Sequence, residues 1–382
     1  MSNLYSASFD DLESIRHIAE AHGFCLVKQV FSAGQMEQLE SGIAEDYAAF
    51  NGTCPELMSC PSLSWVMVAP RVLDIARILL PGRICYYGES YLNYEDSIGP
   101  RTKSPFNTPH IDARGSRESL TPFWSSPTDS IFRGYRFAVY LQDYKNWSGG
   151  LMVGIGSHRG NLKQFGIGAP AKVEYKILKF GDSAFTVGWP ETPLYNVPSE
   201  PGDLVIWNLR TLHSAGARRL IARPEMAMLP KFEEEIYEKL PKAFLPVPGP
   251  RNAVFFDYGN EVEEVDLYIK HRRFKHRPEE LVVAKDWCYD NDEIRTIFKT
   301  NNITPRFDSI ITYLCSHFDK LRKNGASNAD LFSMRARLFA LLIEHKEFSP
   351  YFPLLSKELF LEKAAKSQED ALNYAVTTVL KK

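Results

Sequence analysis

Apolar residues recur at helical spacing at the start of the chain. Leu12, Ile15, Ile18 and Ala19 share one face of residues 10–22, and Gly23 follows where a helix would stop. Residues 23–30 alternate weakly and predict a short strand. Ser32 stands where an N-cap would open a second helix over 32–50, and a third is predicted over 70–80, closed by Pro81 and Gly82. After residue 81 the pattern changes to short apolar and aromatic runs between turn residues, at 83–93, 135–143, 151–154, 203–208 and 252–258. Many short strands with few helix-length segments predict an antiparallel barrel or sandwich.

Two longer stretches interrupt these strands. Residues 113–132 are polar with two Pro-centred turns, and residues 217–250 hold a predicted helix at 231–240 and then a Pro-rich run. Loops of this length in a compact domain are usually functional covers or disordered inserts. From residue 263 the chain turns to charged helical patterns, over 279–285, 290–300, 308–322, 328–344 and 356–380. In the fourth of these, Leu331, Phe332, Leu338, Leu341 and Leu342 form an apolar stripe, with Arg335, Arg337 and Glu344 on the wet side. Three regions result: an N-terminal helical flank at 1–80, a strand-rich core at 81–262 and a C-terminal helical region at 263–382.

Composition narrows the class. With 382 residues, 44% hydrophobic and 24% charged, the chain can bury a large core and is neither disordered nor collagenous. Its 45 basic and 47 acidic residues nearly cancel, against a protein built to coat nucleic acid. The basic run 271–277 is read as a solvated bridge between regions. Six cysteines without a C-x-x-C pair read as free thiols in a reducing compartment. With no basic-apolar leader and no stretch near 18 apolar residues, a cytoplasmic protein without membrane contact is expected.

The sharpest local feature is Pro109-His110-Ile111-Asp112. Residues two apart in an extended segment point to the same side, so His110 and Asp112 can present an imidazole and a carboxylate to one point. An H-x-D pair is common by chance. It acquires meaning with a second histidine, because two His and one carboxylate on one face of an ion mark non-haem Fe(II) oxygenases. His213 is the candidate, 103 residues on and just beyond the turn and apolar strand of 201–208. Competing motifs fail: the glycines at 154, 156 and 160 lack the spacing and βαβ setting of a dinucleotide loop, and Ser157-His158 has no evident third member of a triad.

In three segments the chain resembles the phytanoyl-CoA dioxygenase-like family of Fe(II)- and 2-oxoglutarate-dependent oxygenases. These are Pro109 to Asp112, the run Tyr135 to Asp143 continued by Gly149 to His158 with its Gly-Ser-His ending, and Pro201 to Gly216. The resemblance spans residues 24–262 and implies a double-stranded β-helix, jelly-roll and cupin-like. It further implies Fe(II) held by His110, Asp112 and His213, with 2-oxoglutarate and O2 as co-substrates. In that family an arginine ten or eleven residues after the distal histidine clamps the far carboxylate of the oxoacid, which here points to Arg223. Arg251 opens a segment that looks more like the family's arginine-bearing strand, and is preferred if 220–249 is an insertion. Tyr91 and Asn93, on the strand before the metal pair, are candidates to donate a hydrogen bond to the oxoacid.

The presence of Asp112 implies oxidation without halide, since halogenating relatives carry a small residue there. The two inserts flank the metal residues and would cover the pocket. Arg114, Arg117, Arg133 and Arg136 make one side of that region basic, which favours a polar or anionic small molecule, a metabolite or natural-product intermediate. Two other classes remain open: a cupin-like metal-dependent isomerase or hydrolase that does not use 2-oxoglutarate, and a catalytically inactive binding protein of the same fold. The C-terminal helices either mediate a homodimer or simply cover the barrel.

Overall fold

The structure is a computed structural model, and it describes residues 4–49, 57, 60, 62–86, 90–95, 109–112, 132–143, 150–159, 173–180, 182–190, 194–215, 251–260, 292–305, 340, 356–366, 370 and 374. In the N-terminal flank, β1 (Ser6–Ser8) precedes α1 (Leu12–His22), β2 (Phe24–Lys28), α2 (Ala33–Ala49) and α3 (Pro70–Leu79). Local chemistry sets each helix start. Asp11 accepts a hydrogen bond from the Ser14 amide at 3.1 Å, and Pro70 occupies the first turn of α3. Ser32 and Gln35 form a reciprocal capping box, with the Ser32 amide donating to Gln35 Oε1 at 3.0 Å and the Gln35 amide to Ser32 Oγ at 3.3 Å.

The core follows with β3 (Ile84–Tyr86), β4 (Tyr91–Glu95), β5 (Gly134–Tyr140), β6 (Leu151–Val153), β7 (Val173–Phe180) and β8 (Ser183–Pro190). It continues through β9 (Tyr195–Asn196), β10 (Leu204–Asn208), β11 (His213–Ala215) and β12 (Arg251–Asn260). The last described elements are α4 (Asp292–Thr300), β13 (Ile303–Pro305) and α5 (Lys357–Lys366). The major sheet runs β1-β2-β10-β5-β12-β3-β13, with β4 also paired to β12, and the minor sheet is β11-β6-β9. Together they make the double-stranded β-helix.

Strand alternation divides the apolar residues into two clusters. Tyr135, Phe137 and Val139 of β5, Leu204 and Ile206 of β10, and Val254, Phe256 and Tyr258 of β12 face the helices and form the larger cluster with Ile15, Ile43, Val72 and Ile75. The opposite face carries Ala138 and Tyr140, Val205 and Trp207, and Ala253 and Phe255. With Leu151 and Val153 of the minor sheet these form the interior of the barrel. Because both faces of β5 are covered, all seven of its residues are buried.

Three features depart from the sequence pattern. The 263–382 region is not purely helical: β13 pairs in parallel with β3, Ile303 opposite Ile84, and extends the major sheet. Phe298 of α4 packs on Tyr86 with ring centroids 5.3 Å apart. The β7–β8 hairpin has no counterpart in the predicted strands, although Val173 to Ile177 alternate apolar and polar as a strand does; Tyr175 and Ile177 are exposed. The predicted helices at 231–240, 279–285 and 308–322 lie outside the described residues, as does all of 328–344 except the buried Ala340.

Gly23 joins the flank to the barrel. It ends α1 in the left-handed region at φ 82°, and its carbonyl accepts from the Asn208 amide at 2.9 Å and from Thr211 Oγ1 at 2.7 Å. A Cβ here would strike the His158 ring and come within 2.7 Å of Thr211 Oγ1. Gly23→Ala therefore combines backbone strain with overpacking, and urea unfolding should show a loss of about 2–4 kcal/mol.

Candidate metal centre

His110 and His213 are placed by backbone pairing. They form an isolated antiparallel bridge, with the His110 amide donating to the His213 carbonyl at 2.8 Å and the His213 amide to the His110 carbonyl at 2.9 Å. Directly opposed residues on paired strands project to the same face, and the two imidazole centroids lie 4.4 Å apart. Asp112, two residues on from His110, brings its carboxylate to the same point. Its Oδ2 lies 3.5 Å from His213 Nε2 and its Oδ1 3.9 Å from His110 Nε2. One ligand atom from each residue falls within 4.8 Å of the others. Neighbouring ligands of an ion bound at usual lengths stand about 3 Å apart, so a small contraction would close the set around a metal.

The distal histidine is held in ligand form. Its Nδ1–H donates to the Thr211 carbonyl at 2.9 Å, which leaves the Nε2 lone pair facing Asp112. Burial pushes its pKa down to about 3, outweighing the opposing attraction of Asp112, so the ring stays neutral. The Gly-Ser-His turn fixes the backbone around it. Ser157 Oγ donates to the Gly154 carbonyl at 2.6 Å and accepts from the Leu212 amide at 2.8 Å. The Gly154 amide returns a bond to the Leu212 carbonyl at 2.8 Å.

His158, the last residue of that motif, is no ligand. Its Nε2–H donates to the Glu20 carbonyl at 3.1 Å, tying the turn to the end of α1. Within the barrel, Trp207 stacks obliquely on His213 with centroids 5.4 Å apart. Asp112 and His213 are buried, while the His110 side chain keeps 30% of its exposure.

The remaining candidates are placed as follows. Tyr91 and Asn93 lie on β4 opposite Phe255 and Ala253, and their side chains are outside the described set. Arg251 is the first residue of β12, opposite Glu95, and its side chain is likewise not described. The expected strand after the insertion is thus present. Its first residue stands six positions from Asp257, about 20 Å along an extended strand. Arg223 lies outside the described residues, with the whole 217–250 insert.

The basic wall expected from Arg114, Arg117, Arg133 and Arg136 needs correction. Arg133 reaches Glu20 at 3.8 Å, and Arg136 is buried against Asp257 with both bonds at 2.7 Å. These two charges are neutralised by carboxylates that sequence separation conceals. Arg114 and Arg117 lie outside the described residues. Phe132 lies beneath the Arg210 guanidinium at 4.5 Å.

Two imidazoles and a carboxylate in the mouth of a double-stranded β-helix are a donor set that could hold one metal ion, as in non-haem oxygenase centres. Residues 62–219, which contain all three, match the family model of phytanoyl-CoA dioxygenase (PhyH). Among solved structures, the chain is similar to the non-haem α-ketoglutarate-dependent epimerase SnoN from nogalamycin biosynthesis. Identity is 16% over 66% of this chain and 83% of that one, with a TM-score of 0.41. It is also similar to EctD from S. alaskensis with 2-oxoglutarate and 5-hydroxyectoine, at 16% identity over 63% and 73% of the two chains and a TM-score of 0.37. HygX from Streptomyces hygroscopicus, with nickel and 2-oxoglutarate bound, gives 17% identity over 64% and 85% and a TM-score of 0.38. No curated protein matches the sequence.

His158 yields a test of how the site is braced. Burial lowers its pKa to about 4 from an ordinary value of 6.5, so the unfolded chain takes up a proton that the folded one refuses. This contribution is complete above pH 6.5 and is lost as pH falls from 6.5 towards 4, by about 3 kcal/mol at most. His158→Gln should flatten the stability profile in that window relative to wild type, as followed by urea unfolding at stepped pH.

Proposed function

We propose that the protein is an Fe(II)- and 2-oxoglutarate-dependent oxygenase acting on a small molecule. The observation that carries this reading is the convergence of His110, Asp112 and His213 inside the matched family domain. The donor set suits Fe(II): two imidazole nitrogens and one carboxylate oxygen, with further positions left for other ligands. Bound there with 2-oxoglutarate and O2, Fe(II) supplies the oxidation of a C–H bond, one oxygen atom going to the product and the other to the succinate formed as CO2 leaves.

The chain's own contribution is placement and exclusion of water. Thr211 and Ser157 hold the distal imidazole and its backbone. Tyr140, Trp207 and Phe255 keep the inner wall apolar. The partly exposed edge at His110 is the side from which substrate approaches. Asp112 occupies the position that a halide would need, so hydroxylation or another halide-free oxidation is the reaction proposed. A polar metabolite or natural-product intermediate is the proposed substrate class, although Arg133 and Arg136 no longer argue for an anionic one.

The far carboxylate of 2-oxoglutarate is assigned to Arg251 or Arg223. For Arg251, the strand that begins with it is the supporting feature, while its remoteness from Asp257 demands a long reach back along β12. Truncating the true clamp leaves a carboxylate unpaired, and affinity for 2-oxoglutarate should fall roughly thirtyfold or more. Titration of the anaerobic iron complex with Arg251→Ala and Arg223→Ala identifies which residue it is. Tyr91 and Asn93 are proposed as donors to the same oxoacid. Among the described residues no helix is long and apolar enough to cross a membrane; a cytoplasmic location is a separate proposal. A homodimer through the C-terminal helices is a separate proposal for which sedimentation is the test.

Slow substrate-free turnover tests the central reading. Anaerobically Fe(II)-loaded protein given 2-oxoglutarate and O2 should form succinate with matching oxygen uptake. A folded His213→Ala variant should lose at least about 99% of it, the scale on which removal of an essential group lowers rate. Metal-dependent activity without 2-oxoglutarate consumption would favour the isomerase or hydrolase class instead.

A further inference from the structure

Arg136 is 3% exposed and lies on the inner face of β5, at the end of the barrel where the three candidate ligands meet. Strand register places Asp257 of β12 directly opposite. Nε and Nη2 of the guanidinium donate to the two oxygens of Asp257, each at 2.7 Å, a fork-on-fork pair that fixes the plane of the arginine. The third nitrogen, Nη1, is turned towards Asp112 and stands 3.5 Å from its Oδ2. One buried guanidinium therefore faces two buried carboxylates, the second of them a candidate metal ligand.

The division of the Asp112 oxygens gives this contact a consequence. Oδ2 lies 3.5 Å from both Arg136 Nη1 and His213 Nε2, whereas Oδ1 is turned to His110 at 3.9 Å. An octahedral ion bound by two imidazoles and one carboxylate oxygen keeps three open positions. The chelating oxoacid needs two of them and dioxygen the third. A carboxylate free to rotate and bind through both oxygens would leave only two. A cation fixed beside one oxygen resists that rotation, and it also partly offsets the cost of burying Asp257 and Asp112 together.

We propose that Arg136, anchored by Asp257, is a positioning residue that holds Asp112 to metal binding through a single oxygen. The proposal rests on the metal centre proposed above. It differs from a structural account in which the Arg136–Asp257 pair merely joins β5 to β12, since buried ion pairs of that kind can often be replaced by apolar residues without loss of stability.

The two accounts separate in an anaerobic Co(II) titration, read by visible absorption. Wild type, His213→Ala, Arg136→Lys and the double variant Arg136→Met/Asp257→Leu are compared, with thermal unfolding of each metal-free protein. The double variant removes the whole ion pair at similar volume. If it folds, its Co(II) affinity should fall by roughly 10–100-fold, the usual cost of losing a partner that orients a ligand, and its absorption bands should change in position and intensity. A folded double variant with wild-type affinity and wild-type bands overturns the proposal. If the double variant does not fold, Arg136→Lys decides. It keeps a charge on Asp257 but lacks the fork, so it should show altered bands and weaker binding, and wild-type behaviour overturns the proposal. Wild type that fails to bind one Co(II), or binding untouched by His213→Ala, overturns the metal centre itself and the proposal with it.

Discussion

The two-way backbone bridge between His110 and His213 is the constraint on which the site depends. Two reciprocal amide–carbonyl bonds set the residues directly opposite each other, so both imidazoles project to the same face, and the Nδ1–H bond to Thr211 orients the distal ring. Everything nearby serves to hold this bridge in place. Ser157 grips the Leu212 amide, Thr211 binds the Gly23 carbonyl, and Gly23 adopts the left-handed conformation that lets α1 end against the same turn. The N-terminal flank is thus part of the metal-site scaffold, and a helix end far from the ligands in sequence sets the backbone beside one of them.

Charge within the barrel follows a similar economy. Asp112, Asp257 and Arg136 lie together in a region from which water is largely excluded, and Arg136 faces both acids. A divalent ion beside Asp112 would add positive charge next to these carboxylates. The neutral state of His213, enforced by burial, leaves its lone pair ready for that ion. Preorganisation here comes from strand register and buried polar contacts.

Much of this was legible in the sequence, for local reasons. Apolar spacing and end residues placed α1, α2 and α3 within two residues, because caps and left-handed glycines act over one turn. The H-x-D pair was legible because extended residues two apart share a face. His213 was found only through its apolar strand and the family resemblance, since nothing local shows that residue 213 meets residue 110. Arg136 was misread as a member of a basic wall for the same reason: its partner Asp257 is 121 positions away, and only the sheet register brings them together. The short β13 left no periodic trace, whereas β7 opens on an alternation, Val173 to Ile177, that marks a strand. Local rules delivered elements and pairs within one strand; contacts set by topology were not accessible to them.

The account stands or falls on whether one metal ion sits among the three side chains that the bridge brings together. The most direct measurement is a crystal structure of the anaerobically iron-loaded protein with anomalous scattering recorded across the iron edge. The account predicts a single strong anomalous peak within bonding distance of His110 Nε2, His213 Nε2 and one Asp112 oxygen. A peak bonded elsewhere, or none at this site in protein loaded with iron, would contradict it.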